Sequence, residues 1–264
     1  MLNYNSSMKN YSYKKGFTLA EVLITLAIVG IVAAMTIPTL VLNYQKKVLK
    51  NQLINKYALL QQQLLYARNE YYVNFRKYCV EWDYDNAKFK HKDECLAIFN
   101  KYFKVVGKCE YKNKPRTYDL KKEAYIDVGG TAKPKYLLSD GTCYDTTINS
   151  GRLGFSFDMN GPDKGPNALG HDIFSFWVND KDYLESIKMT GYYTEEELAN
   201  VMENCEGNTS IPSSNACIAS NEQNGRPCTK NSSQKGNGLG CSWYALNDVC
   251  PDDETKGYWD CLPK

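Results

Sequence analysis

Histidine is nearly absent: only His91 and His171 occur in 264 residues. No two cysteines stand in a C-x-x-C pair, so zinc ribbons and fingers, which need closely spaced ligand pairs, are not expected. There is no G-x-S-x-G elbow, no phosphate-binding glycine loop and no H-E-x-x-H helix. With two scattered histidines, nothing assembles a recognisable catalytic set, and no enzyme activity is expected. The formal net charge is only +2, which removes any bulk electrostatic argument for nucleic acid or membrane phosphates. Long apolar runs are also missing, with one exception near the start of the chain.

Ten cysteines are present: Cys79, Cys95, Cys109, Cys143, Cys205, Cys217, Cys228, Cys241, Cys250 and Cys261. All lie C-terminal to the apolar run. An even, well-spread set without histidine reads as disulfides, and therefore as an oxidising compartment. The six from Cys205 onward allow fifteen pairings, and their spacing does not choose among them. Tyrosine is abundant, with 21 copies against nine phenylalanines and four tryptophans, as suits half-wet interfaces.

Residues 1–16 are polar and mildly basic (Lys9, Lys14, Lys15) and end in Gly16. From Phe17 to Leu42 the chain is apolar for 26 residues, long enough to span a bilayer. A secretory signal peptide cut at Val32-Ala33-Ala34 is the plain alternative. It leaves Glu21 unexplained. A carboxylate in an apolar helix costs about 2.5–3.5 kcal/mol at mid-bilayer and less toward the end. No Lys or Arg lies between Phe17 and Leu42 to pair with it. Cleavage after Gly16 would supply the missing cation as a new α-amino group on Phe17.

The string Lys14-Lys15-Gly16-Phe17-Thr18-Leu19-Ala20-Glu21 resembles the prepilin cleavage and methylation motif of type IV pilins and pseudopilins. The resemblance implies cleavage after Gly16 by a prepilin peptidase, N-methylation of Phe17, and a role for Glu21 in docking each subunit into a filament. Gly30 and Pro38 fall where pilins often carry helix-loosening residues. The close match covers about residues 14–45. It implies as partners the peptidase, other pilin-like subunits and an inner-membrane assembly platform. The basic leader places the remainder of the chain outside the cytoplasm by the positive-inside rule.

Downstream, Leu49, Leu53, Tyr57, Leu60, Leu64, Ala67, Tyr71, Phe75 and Tyr78 recur at spacings of three and four. That is one face of a helix continuing to about Phe75, loosened at Pro38. A shorter helix is predicted over Lys92–Phe103, and another over Glu195–Asn204. Strand-like runs follow at Ala124–Val128, Tyr136–Leu138, Cys143-Tyr144, Leu153–Asp158 and Asp172–Val178, joined by Gly/Asp turns. The expected fold class is α+β: a long N-terminal helix packed on an antiparallel sheet, with a disulfide-rich C-terminal extension. The expected segments are a leader (1–16), a transmembrane and filament-core helix (17–42), its amphipathic continuation (43–78), a globular head (79–204) and the Cys-rich extension (205–264).

Two head regions are candidate sites. In the loop 158–172, Asp158, Asn160, Asp163 and Asp172 could offer oxygens to Ca²⁺, and a calcium-binding head loop is known among major pseudopilins, which the chain resembles. The competing reading is a turn-rich strand connection, which the irregular ligand spacing favours slightly. The stretch holding Lys101, Lys104, Lys108, Lys112, Lys114 and Arg116, with Tyr102, Phe103, Tyr111 and Tyr118 interleaved, has the composition of a single-strand nucleic-acid surface. Glu110 and Asp119 dilute it, and a solvated loop is the expected outcome. The leading expectation is therefore a structural subunit of a type IV pilus or a type II secretion pseudopilus. A minor or tip pilin that binds a surface or DNA, and a secreted disulfide-rich protein, are the alternatives.

Overall fold

The computed structural model describes residues 16–71, 74–111, 117–122, 125–126, 134–149, 152–178, 187–189, 227–232 and 236–263. The chain divides into two compact units, Met1–Gln45 and Lys46–Lys264.

Helix α1 runs from Leu19 to Tyr71 and passes unbroken through Pro38, which has no N–H to give the preceding turn. In the first unit its apolar side chains are exposed: Leu23, Ile24, Leu26, Val29, Ile31 and Leu40 all face outward. This helix is long and apolar enough to cross a membrane. Ile37, Leu40 and Leu42 continue the apolar surface to the end of that stretch.

In the second unit the same helix becomes amphipathic. Leu53, Leu60, Leu64 and Ala67 are buried on the predicted stripe, and Leu49, Tyr57 and Tyr71 pack against the core from its margin. A short helix, α2 (Phe75–Cys79), follows, started by Asn74, whose side chain accepts from the Lys77 N–H. A hairpin of β1 (Trp82–Asp83) and β2 (Lys88–Phe89) leads to α3 (Lys92–Tyr102). Strand β3 (Val105–Lys108) is next, then the two-stranded pair β4 (Thr117–Tyr118) and β5 (Tyr125–Ile126). The main sheet continues with β6 (Tyr136–Leu138), β7 (Cys143–Asn149), β8 (Arg152–Asp158), β9 (Ile173–Val178) and β10 (Ile187–Met189). Its order is β10-β9-β8-β7-β6-β3, and every pairing is antiparallel. The predicted helix over Glu195–Asn204 lies outside the described residues.

Register explains the core. Tyr144 pairs with Phe157 and Phe157 with Phe174, while Phe155 pairs with Phe176, so all five rings share one face of the sheet. Against that face stand Tyr57 of α1, 5.6 Å from Phe176, and Phe99 of α3, 4.9 Å from Phe155. Lys56 and Gln63 are also buried on α1. The Lys56 ammonium reaches Asp140 in the β6–β7 turn, a charged pin between helix and sheet. On the other face, Gly154 lies directly under Trp177, and a Cβ there would sit 2.5 Å from the indole ring. Glycine is what allows that approach.

The described C-terminal residues belong to the same core. After a 3₁₀ turn (Leu239–Cys241) come α4 (Ser242–Asn247) and α5 (Tyr258–Cys261). Tyr244, Ala245, Tyr258 and Trp259 are buried with the sheet and helix residues, and Trp259 packs 5.9 Å from Phe174. Lys46 and Lys50 of α1 pair with Asp260 and Asp248. Among the described residues four disulfides staple the head: Cys79–Cys95, Cys109–Cys143, Cys228–Cys241 and Cys250–Cys261. All four close local loops, of 16, 34, 13 and 11 residues in separation, which restricts the unfolded chain more than it shapes the fold. Cys205 and Cys217 lie outside the described residues.

Candidate functional site

The N-terminal site is built by the start of α1. Gly16, Phe17 and Thr18 precede the helix, and the Phe17 side chain is 87% exposed. Thr18 occupies the N-cap position and Glu21 stands three residues later. The Glu21 N–H donates to the Thr18 hydroxyl at 3.2 Å, and the Glu21 carboxylate accepts from the Thr18 N–H at 2.8 Å and its hydroxyl at 2.9 Å. This is a capping box, in which two otherwise orphaned helix donors are satisfied reciprocally. Glu21 thus has a local partner before any cleavage, which a search of the sequence for a cation alone does not find. The T-x-x-E spacing was the available signal. Lys14 and Lys15 lie outside the described residues.

The first unit therefore presents an exposed Gly16-Phe17 peptide, a capped helix start with a carboxylate in its first turn, and an exposed apolar helix behind it. Residues 11–37 match the family model described as the prokaryotic N-terminal methylation motif. The chain carries the signature of type IV pilin and pseudopilin precursors. No curated protein and no solved structure matches it significantly. The match covers the start of the chain, residues 11–37, and overlaps the beginning of the one helix among the described residues that is long and apolar enough to cross a membrane.

In the head of the pilin-like chain, the loop from Asp158 to Asp172 is closed by its own carboxylates. Asp158 accepts from the Gly161 N–H at 2.9 Å and from the Tyr111 hydroxyl at 3.1 Å. Asp172 accepts from the Asn167 N–H at 2.9 Å and the Ala168 N–H at 2.8 Å. Gly161 sits at φ +80°, with the Gly141 carbonyl 2.5 Å from where a Cβ would be, so the turn requires glycine. Of the four sequence candidates, Asp158 and Asp172 are brought together and buried, and Asn160 bonds across the loop to the Gly165 carbonyl. Asp163 stays on the exposed rim. Among the described residues no three His, Cys, Asp or Glu side chains are grouped to hold a metal. The amide oxygens of Asn160 and Asn167 are buried in the same loop without a hydrogen-bond partner.

Burial pushes the Asp158 carboxyl up to about 6. Burial, then the nearby Asp158 charge, pushes Asp172 up to about 7. Burial takes His171 the other way, down to about 4, with its ring nitrogen 2.8 Å from the Leu120 carbonyl. His171 is thus a buried anchor of the loop. The raised carboxylates favour the folded state below about pH 4, and that contribution is lost as pH rises through about 6 and 7. Asp158→Asn keeps an acceptor for Gly161 and removes one charge of the pair. It should leave the melting temperature unchanged near pH 4 and stabilise the head at about pH 7.5 by about 1–2 kcal/mol. Equal destabilisation at both pH values would contradict the account. Repeating the melts with Ca²⁺ decides the metal expectation: a cation held here raises wild type near pH 7.5 and leaves Asp158→Asn unmoved.

Among the described residues of the basic stretch, three aromatics are committed elsewhere. Phe103 is buried, Tyr111 points at Asp158, and Tyr102 bonds to Glu70. Lys101 lies 3.7 Å from Glu70. Lys112, Lys114 and Arg116 lie outside the described residues.

Proposed function

We propose that the chain is a filament subunit: prepilin peptidase cuts after Gly16, Phe17 is N-methylated, and the subunit assembles through α1 with its head outside the cytoplasm. The observation that carries this is the methylation motif placed directly before a helix whose first half is apolar and exposed. An exposed apolar helix of this length has two stable environments, a bilayer or a bundle of like helices. The transition between them is assembly. The stapled head stays folded across both states, since its core and disulfides lie in the second unit.

In this mechanism the leader lysines Lys14 and Lys15 hold the scissile bond on the cytoplasmic side, and Glu21 receives the Phe17 amine once it is released. The inner-membrane platform and neighbouring subunits are the partners. A type IV pilus and a type II secretion pseudopilus both use such a subunit. The test is the sheared surface fraction of cells expressing the chain with a compatible assembly system. The chain should be recovered there, and only when the peptidase is present. Recovery that is indifferent to the peptidase would sink the proposal.

A further inference from the structure

The end of the 158–172 loop is gripped by segments far from it in sequence. On one side β4 supports it: the Tyr118 N–H donates to the Asn167 carbonyl at 3.0 Å, and the Leu169 N–H donates to the Tyr118 carbonyl at 2.9 Å. On the other side stands the C-terminal extension. Leu239 forms a small buried cluster with Leu169 and Ile173. The buried Tyr258 hydroxyl donates to the Gly170 carbonyl at 2.5 Å. Gly170 itself has no room for a side chain: a Cβ there would stand 2.8 Å from the Cys241 sulfur, from a Leu120 methyl and from the Tyr258 hydroxyl. The Leu120 N–H donates to the Asn237 carbonyl at 2.9 Å, which joins β4 to the extension and completes the enclosure.

The part of the extension that carries Cys241 has little apolar surface of its own. Among its described residues, 227–232 and 236–241, the one large aliphatic side chain is Leu239. Polar contacts shape it: the Asn237 amide donates to the Thr229 and Ser232 carbonyls at 2.8 and 3.2 Å. So short a segment depends on a covalent tie. That tie is Cys228–Cys241, both cysteines fully buried, with one sulfur against Gly170.

We infer that Cys228–Cys241 is an oxidation-dependent clamp on the acidic loop, which takes its closed form only once this bridge has formed. In the closing step two thiols give up two protons and two electrons to an external disulfide, which leaves as a dithiol, and the Sγ–Sγ bond forms. Before that step two separate thiols need more room than one bridge, and Gly170 leaves none. The segment carrying Cys241 then stands off the loop, and residues 167–172 lose one wall. Burial shields the finished bridge from external thiols, so the step is a maturation rather than a reversible switch. A head that is exported would close its loop after export. That consequence rests on the proposed function, whereas the clamp itself does not.

Hydrogen exchange on the full chain in detergent tests it. In the double variant Cys228→Ala, Cys241→Ala, amides of residues 167–172 should exchange about tenfold faster than in wild type, with those of β7 and β8 unchanged. Cys79→Ala with Cys95→Ala, which removes a bridge between α2 and α3, should leave the ratio of loop to sheet exchange at its wild-type value. Tyr258→Phe keeps every bridge and removes one hydrogen bond to the loop, so it should speed the same amides about fivefold. This variant decides the matter if the double variant does not fold. Loop exchange that is unchanged in both variants, or that rises only together with the sheet, would overturn the clamp.

Discussion

Glu21→Gln is expected to abolish filament assembly while leaving precursor cleavage intact. Glutamine at the third helical position still accepts from the Thr18 N–H, so the capping box survives. What disappears is the charge. Without it, the amine released on Phe17 has no counter-ion on its own helix. An uncompensated charge at this depth costs up to about 2.5–3.5 kcal/mol, which corresponds to about a 100-fold loss of assembled subunit. Sheared-fraction yield against total processed protein is the readout. Thr18→Val separates the two roles of the pair, since it removes the hydroxyl and weakens the cap by about 1 kcal/mol without changing charge. It should assemble far better than Glu21→Gln, and Thr18→Ser should match wild type. Wild-type filament yield from Glu21→Gln would show that the carboxylate's charge is dispensable.

The second large effect concerns the head. Phe99→Ala should destabilise it by about 3–5 kcal/mol. Phe99 is fully buried where three layers meet, edge-on to Phe75 at 5.2 Å and to Phe155 at 4.9 Å. Truncation leaves a void bounded by α2, α3 and the sheet, and the Cys79–Cys95 bridge limits how far α2 and α3 can collapse into it. For a head of this size the melting temperature should fall by about 10 °C. Val106→Ala, on an exposed edge-strand position, is the control and should change little. A Phe99→Ala head that melts within a degree of wild type would mean the three layers do not share one core.

The long helix was legible because its signals are local and repeated: the apolar run of residues 17–42, then the stripe from Leu49 through Ala67. The antiparallel sheet was legible where alternation was strong, as in Leu153–Asp158. Other features depend on distant partners. Lys56 lies among apolar neighbours on the buried face, and only its pairing with Asp140, 84 residues away, makes that burial tolerable. Phe103 and Tyr111 look like surface aromatics in a basic stretch until the fold turns them toward the sheet and Asp158. Helices α4 and α5 span six and four residues, too short for any periodicity to show. Cysteine spacing likewise does not choose a pairing, although the described bridges turn out to be local. The N-terminal motif was legible as a string, because Gly16, Phe17 and Glu21 sit within six consecutive residues, and the family model matches residues 11–37 over it. Its one overlooked contact, Thr18 to Glu21, was also local.

In the proposed mechanism a peptidase creates the functional N-terminus at Phe17. The direct measurement is the intact mass and N-terminal sequence of the protein taken from membranes of cells with and without prepilin peptidase. With the enzyme, the chain should begin at Phe17 and carry one added methyl group. Without it, the chain should retain residues 1–16. A start after Ala33 or Ala34, or a terminus indifferent to the peptidase, would contradict the account and leave a secreted, disulfide-rich head.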